Sequence, residues 1–230
     1  MKVTLSFENT ISDDVSIMVD ALRASTTITL ALNNFEKIIP CFTPEEGFEL
    51  KKIHDGVLAG ERGGKKIEGF DVGNSPKSVE NYTSDKTTLI LTTSNGTRIL
   101  ENMKSTVLVG SLVNAKAVGE KSTEIASSHI DVVMAGVKGN FALEDFLASG
   151  EILYWICEKI SGEYELNDYA KAAIIASRDY EAVENGFYES NSGKRLAKLN
   201  YKQDIEDCLS KNSSENVAIY KNKELKLIED

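Results

Sequence analysis

Hydrophobic positions along this chain come in short β-rich runs separated by amphipathic stretches of helical period. Segments 15–19, 37–40, 57–59, 87–93, 106–109 and 130–135 read as buried strands. Segments 25–32, 44–53, 95–103 and 114–127 read as helices, with Pro44 suited to a first helical turn. A long helix is expected over 142–160, with Leu143, Phe146, Leu147, Ile152, Leu153, Trp155 and Ile156 as its apolar residues. From Asp168 the pattern turns mostly helical, over 168–185, 192–199 and 202–208. It closes in a hairpin of 217–220 with 224–228 around Lys221, Asn222 and Lys223.

This alternation predicts an α/β fold: a three-layer, mainly parallel sheet covered by helices on both faces, with a helical C-terminal segment. A strand, a polar turn and a helix recur from Val15 and again from Ile130, an echo compatible with two similar subdomains. The expected division is an N-terminal α/β half, 1–110, and a C-terminal α/β half, 111–230, or else one compact unit.

Composition narrows the function. A hydrophobic fraction of 41% over 230 residues excludes wholesale disorder. A net charge of −10 repels phosphate backbones, so no nucleic-acid partner is expected. An anionic ligand then needs local positive groups working against the overall field. No apolar run reaches the length of a membrane span, and the start MKVTLSFENT lacks the apolar core of a signal peptide, so a cytoplasmic protein is expected. Cys41, Cys157 and Cys208 are odd in number and widely spaced, which suggests neither a disulfide framework nor a zinc cluster. The two histidines, His54 and His129, read as surface or capping residues. That weakens Ser-His-Asp triads, histidine phosphatases and His-ligated metals together.

Segment 60–76, GERGGKKIEGFDVGNSP, holds five of the sixteen glycines with three acids (Glu61, Glu68, Asp71) and three bases (Arg62, Lys65, Lys66). A loop this long after a buried strand is uncommon unless it binds something or is disordered. Its mixed charges and its Ile67, Phe70 and Val72 argue against disorder, so it reads as a binding loop.

Ligands of open α/β sheets collect at the carboxyl ends of strands, and three such ends are unusual here. In VDALRASTT, Asp20 ends a strand as a magnesium-ligand candidate. Arg23 can fork onto a phosphate or sulfonate, and Ser25 and Thr26 open a helix. The alternative is that Asp20 and Ser25 only cap that helix. TTSNGTR offers a helix N-terminus to an anion, with Ser94 or Asn95 as cap, Gly96 opening the backbone, and Thr97 and Arg98 beside it; a routine cap is again the alternative. AGVKGNFALED places Glu144 and Asp145 in a first helical turn, where they either ligate or orient around a metal or simply complement the helix dipole. Together these ends form an inventory for a small di- or trianion around a divalent cation. The chain has no GxxxxGK[ST], no GxGxxG, no thiol-phosphatase loop and no DxD nucleophile motif, Leu22 standing where the second acid would be.

These blocks, in this order, resemble the 2-phosphosulfolactate phosphatase family of coenzyme M biosynthesis. The likeness rests on VDALRASTTI, AGERGGKKIEGFDVGNSP, TTSNGTR, AGVKGNFALEDFLASG and SGKRLAKLNYKQDIEDCL, and it spans most of the chain. The resemblance implies a phosphoric monoester hydrolase: magnesium-dependent hydrolysis of (2R)-2-phospho-3-sulfolactate to 3-sulfolactate and phosphate. It implies Asp20 and Asp145 as Mg²⁺ ligands, Glu144 and Glu61 as further ligands or the base, and Asp20 as an alternative phosphorylated nucleophile. Arg62, Gly63 and Gly64 would hold phosphate, while Arg23 and Arg98 would share the sulfonate and carboxylate. Asn74 and Ser75 would line the site at the helix that Pro76 begins. Glu61 and Asp71 would either do chemistry or hold the glycines and Arg62 in place. Asp204 and Lys194 are candidates for a functional role, with a solvated helix face as the favoured expectation. The expected partner is a small anionic phosphate ester, and a homo-oligomer is compatible with this reading. The alternatives are a phosphatase for another small phospho-hydroxy acid and a non-catalytic anion binder. Acids beside arginines disfavour the anion binder.

Overall fold

The computed structural model describes every residue but 94, 95 and 230. Its elements begin β1 (Lys2–Phe7), β2 (Val15–Val19), α1 (Ala24–Ala31), β3 (Lys37–Cys41), α2 (Pro44–His54), β4 (Val57–Arg62), β5 (Lys65–Lys66) and α3 (Pro76–Glu80). There follow β6 (Thr88–Thr92), α4 (Gly96–Asn102), β7 (Thr106–Gly110), a 3-10 turn (Leu112–Asn114), α5 (Ala115–Ile125), β8 (His129–Met134) and α6 (Leu143–Lys159). The chain continues through β9 (Glu165–Leu166), α7 (Asp168–Ser177), α8 (Tyr180–Glu189), α9 (Asn191–Lys198), α10 (Lys202–Cys208), β10 (Ala218–Lys221) and β11 (Glu224–Leu227).

The strands form one mixed, mostly parallel sheet in the order β5-β4-β6-β3-β11-β10-β7-β2-β8-β1-β9. It consists of two parallel blocks, β4-β6-β3 and β7-β2-β8-β1-β9, joined by the antiparallel hairpin β10–β11. Strands buried on both faces read as continuous apolar runs, which is why β2, β6, β7 and β8 are visible in the sequence. Both blocks turn one face to a shared core, with Met18, Val109 and Val133 from one and Ala59, Leu89 and Leu91 from the other, packed with Ile28, Val79 and Ile99 of α1, α3 and α4. The opposite face of the larger block carries α5 to α10, through residues such as Val118, Ile152, Ala173, Phe187, Leu196 and Ile205. That of the smaller block is closed by Phe70 and Leu50 over Leu58 and Ile90.

Four expectations change. The first strand, β1, has no counterpart in the pattern reading, yet Val3 and Leu5 are fully buried between β8 and β9. The segment after 57–59 is not all loop: β4 runs on to Arg62 and pairs back with β5 around Gly63 (φ 62°) and Gly64 (φ 89°). Two successive positive φ angles make that a two-residue type I′ turn, which glycine adopts without steric penalty. The helix expected over 168–185 is two helices, because Asp179 takes an extended conformation and caps α8 by accepting hydrogen bonds from Glu181 and Ala182 N–H. The hairpin expected at 217–228 forms, but inside the sheet, where Ala218 and Leu225 are completely buried. Among the described residues no helix is long and apolar enough to cross a membrane.

The α6–α7 contact is a backbone approach. A Cβ added at Gly150 would stand 2.1 Å from the Ala173 carbonyl oxygen, whereas one at Gly162 would meet nothing within 4 Å. Gly150→Ala should therefore destabilise the fold by roughly 1–3 kcal/mol, and Gly162→Ala by less than about 0.5 kcal/mol. Urea denaturation of the two variants measures the contrast, and equal midpoints would refute the close packing.

Candidate active site

A cavity of about 190 Å³ opens where β2, β4, β6 and β8 end. It is lined by Asp20 and Arg23 after β2, Glu61 to Gly64 on the β4–β5 hairpin, Asn74, Thr93 after β6, Val137 and Lys138 after β8, and Arg195 and Leu196 of α9. At about 30 Å³ per water it has room for roughly six waters, enough for a small anion and too little for a dinucleotide. A wider cleft of about 670 Å³ lies near Asn33, Glu36 and the β10–β11 turn, at the amino end of β3, away from these strand ends.

Asp20 follows directly on a fully buried strand and is itself 8% exposed. Its Oδ1 accepts a hydrogen bond from Ala24 N–H at 3.3 Å, while its own N–H donates to Ser25 Oγ at 2.8 Å. Asp20 thus satisfies the first N–H of α1 from outside its N-cap residue, Arg23, while Ser25 lies within the helix, and Oδ2 is left without a hydrogen bond from any described residue. Gly96 makes room here: a Cβ on it would stand 3.2 Å from Ala24 Cβ and 3.6 Å from Asp20 Oδ2. Burial pushes the Asp20 carboxyl up to about 7; the Glu61 and Glu144 carboxylates add to that push against the Ala24 N–H and the Arg23 guanidinium.

Asp145 and Glu144 are 3% and 2% exposed. Asp145 joins two strand ends, accepting from Ala21 N–H through Oδ1 at 2.8 Å and from Gly136 N–H through Oδ2 at 2.9 Å. Burial, with Glu144 and Asp20 as neighbours, holds its carboxyl well above the usual range. These two acids stand behind the cavity and do not line it. Among the described residues no three His, Cys, Asp or Glu side chains are spaced to hold a metal ion.

Arg23 is almost completely buried. It forms an ion pair with Asp204 of α10, donates to the Gly64 carbonyl at 3.0 Å, and lies over the Tyr201 ring at 4.9 Å. Ser75 Oγ donates to the other Asp204 oxygen at 2.6 Å. Asp204 is thus not on a solvated face, as expected from sequence, but 4% exposed, because its partners come from distant parts of the chain. Lys194 does stay exposed, paired with Glu189 at 2.8 Å.

On the hairpin, Glu61 accepts from Gly64 N–H at 2.5 Å. Arg62 donates to the carbonyls of Glu61 and Phe42, which aims its guanidinium along the rim without an acidic partner among those contacts. Asn74 is 4% exposed and its Oδ1 finds no hydrogen-bond donor among the described residues, an unusual state for a buried polar atom in a residue that lines a cavity.

Other residues named from sequence fall outside the lining. Asp71 is held by Lys51 Nζ at 2.7 Å and Leu58 N–H at 2.8 Å; burial raises its carboxyl, but these partners outweigh that and leave it low. Ser25, Thr26 and Thr97 turn their hydroxyls to the carbonyls of Met18, Ala21 and Cys41. Arg98 pairs with Glu8. Ser94 and Asn95 lie outside the described residues. Thr93, Val137, Lys138, Arg195 and Leu196 line the cavity without having been singled out as site residues. For Lys138 a signal existed in the sequence, since it stands in a short turn bounded by Gly136 and Gly139; Gly136, Lys138 and Gly139 take positive φ there, while Val137 does not.

The family model described as 2-phosphosulpholactate phosphatase matches residues 2–223. The 2-phosphosulfolactate phosphatase of Methanothermobacter thermautotrophicus is 44% identical over 230 residues, covering 100% of this chain and 97% of that protein. A probable 2-phosphosulfolactate phosphatase of Clostridium acetobutylicum is 35% identical over 226 residues, covering 95% and 94%. One from Clostridium perfringens is 35% identical over 223 residues, covering 94% and 89%.

The raised Asp20 carboxyl has a consequence for stability. Between about pH 4 and pH 7 the unfolded chain has released this proton while the folded chain keeps it, so folding takes up a proton. The group's contribution to stability falls as pH rises through that window, and Asp145 has the same sign. Asp20→Asn, neutral at every pH, should melt above the unaltered protein at about pH 8 in metal-free buffer, the gap closing towards about pH 4. Thermal melts across this range test it, and a gap that widens on acidification would count against a proton-retaining Asp20.

Proposed function

The chain belongs to the 2-phosphosulfolactate phosphatase family, and from that membership we propose that it hydrolyses 2-phosphosulfolactate to 3-sulfolactate and phosphate at the Asp20 cavity. It is a phosphoric monoester hydrolase of coenzyme M biosynthesis. The observation that carries the placement is a buried carboxyl held near pH 7 in a cavity whose lining also presents Arg62, Lys138 and Arg195. A substrate bearing phosphate, carboxylate and sulfonate needs several cations in a chain of net charge −10.

Magnesium fits this donor set. Asp20 Oδ2 and Asn74 Oδ1 are hard oxygens that accept no hydrogen bond from a described residue, and Glu144 and Asp145 add negative charge behind Asp20. Mg²⁺ commonly takes one or two carboxylates and fills the rest of its shell with water and phosphate oxygens. In this reading Asp20 holds the ion and Asp145 serves mainly to fix the two turns it bridges. When bound, the ion supplies Lewis-acid polarisation of the phosphoryl group.

The protein's own groups do the remainder. Arg62 and the Gly63–Gly64 turn seat the phosphate, leaving the phosphorus in line for water. Glu61 accepts the proton of the attacking water as its oxygen bonds to phosphorus. The ester P–O bond breaks, and the departing C2 oxygen takes a proton from Lys138 or solvent, giving sulfolactate and phosphate.

Phosphate release from 2-phosphosulfolactate tests the reading. Chelation with EDTA should abolish it and added Mg²⁺ restore it. Asp20→Asn and Glu61→Gln should each lower kcat by about 10²–10⁴-fold, while Arg62→Ala should act chiefly on KM. Full turnover in EDTA would remove the metal from the mechanism, and an unimpaired Asp20→Asn would move the reaction elsewhere.

A further inference from the structure

Four cations line the cavity, Arg23, Arg62, Lys138 and Arg195, and they differ in what already occupies them. Arg23 is committed to Asp204 and the Gly64 carbonyl. Arg62 is committed to two main-chain carbonyls, and Lys138 is engaged within the fold. The Arg195 guanidinium forms no ion pair or hydrogen bond with any other described residue, although its side chain is exposed at the cavity.

The backbone that carries it is nevertheless fixed. The N-terminus of α9 is capped by Ser190, which accepts from Gly193 N–H at 2.9 Å. Gly193 lets α9 approach α8 so closely that a Cβ there would stand 1.9 Å from the Phe187 carbonyl oxygen. Leu196, next to Arg195, is 3% exposed in the core. A base carried on such a fixed helix has only its own side-chain rotamers to order when an anion enters the cavity.

Resting on the reading above, we infer that Arg195 is the specificity residue that receives the sulfonate of the substrate. The argument is one of reach. Phosphate and carboxylate are both carried by C2, so they stay together near Asp20 and the β4–β5 hairpin. The sulfonate is on C3, one carbon further from phosphorus. Asp20 and Lys138 follow sheet strands and Glu61 and Arg62 end one, whereas Arg195 comes from a helix of the outer layer. A guanidinium fork also meets two oxygens of a sulfonate at once, which an ammonium does not.

The test compares the full-length protein with Arg195→Ala and Arg195→Lys, with Mg²⁺ present, on 2-phosphosulfolactate and on 2-phospholactate, which keeps phosphate and carboxylate and replaces the sulfonate arm with methyl. Arg195→Ala should lose about 100-fold in kcat/KM on the sulfonate substrate, mostly in KM, and less than about threefold on phospholactate. Arg195→Lys should fall between, keeping charge without the fork. In the same variants 3-sulfolactate should weaken as an inhibitor while lactate does not change. Equal losses on both substrates would assign Arg195 to phosphate, carboxylate or structure and overturn the inference, as would no loss on either. If the unaltered protein turned over neither substrate, the activity itself would fall, and this inference with it.

Discussion

A guanidinium and a carboxylate shut away from water hold this site together. Arg23 and Asp204 are 181 residues apart in sequence and pair with side chains 3% and 6% exposed. Such a pair is expensive to desolvate and persists only where the remaining donors and acceptors are filled. Here the Gly64 carbonyl, the Ser75 hydroxyl and the Tyr201 ring do that. The start of α1, the glycine turn, α3 and α10 therefore cannot shift independently, and the cavity inherits its shape from one ion pair.

Around that fixed point, charge is sorted by depth. Asp20, Glu144 and Asp145 lie nearly buried, while Arg62 and Arg195 stand at the exposed rim. Like charges gathered out of water raise one another's affinity for a proton or a cation. A phosphate brought to Asp20 meets the same repulsion unless a positive ion intervenes. The gathered acids are thus unfavourable for the fold itself, as groups placed for a ligand rather than for stability commonly are.

The sequence made most strands and helices legible because parallel strands buried on both faces appear as unbroken apolar runs. It was less informative where long-range partners decide. Nothing local in the segment 217–228 announces that it pairs with β3 on one side and β7 on the other. Asp204 sits on a polar helix and looks solvated until Arg23 is placed against it. Asp71 looks catalytic among glycines, but α2 supplies Lys51 to hold it. The Gly63–Gly64 pair was readable as a hairpin turn; the length of the glycine-rich segment concealed it. Asp20, Glu61, Arg62 and Asn74, named from the sequence, do line one cavity, since strand ends and glycine turns gather in this architecture. Arg195 lines the same cavity and was not named, since a base on an amphipathic helix is ordinary.

The inserted hairpin also sets an order of events. Residues 218–227 fill the middle of a sheet whose other strands all precede them in the chain. During synthesis both parallel blocks emerge before the strands that join them, and pairings of this range are slow to form. The cavity takes Glu61 and Arg62 from one block and Asp20 and Lys138 from the other. The sheet between the two halves of the cavity's lining can therefore be completed only once the last strands of the chain have been made.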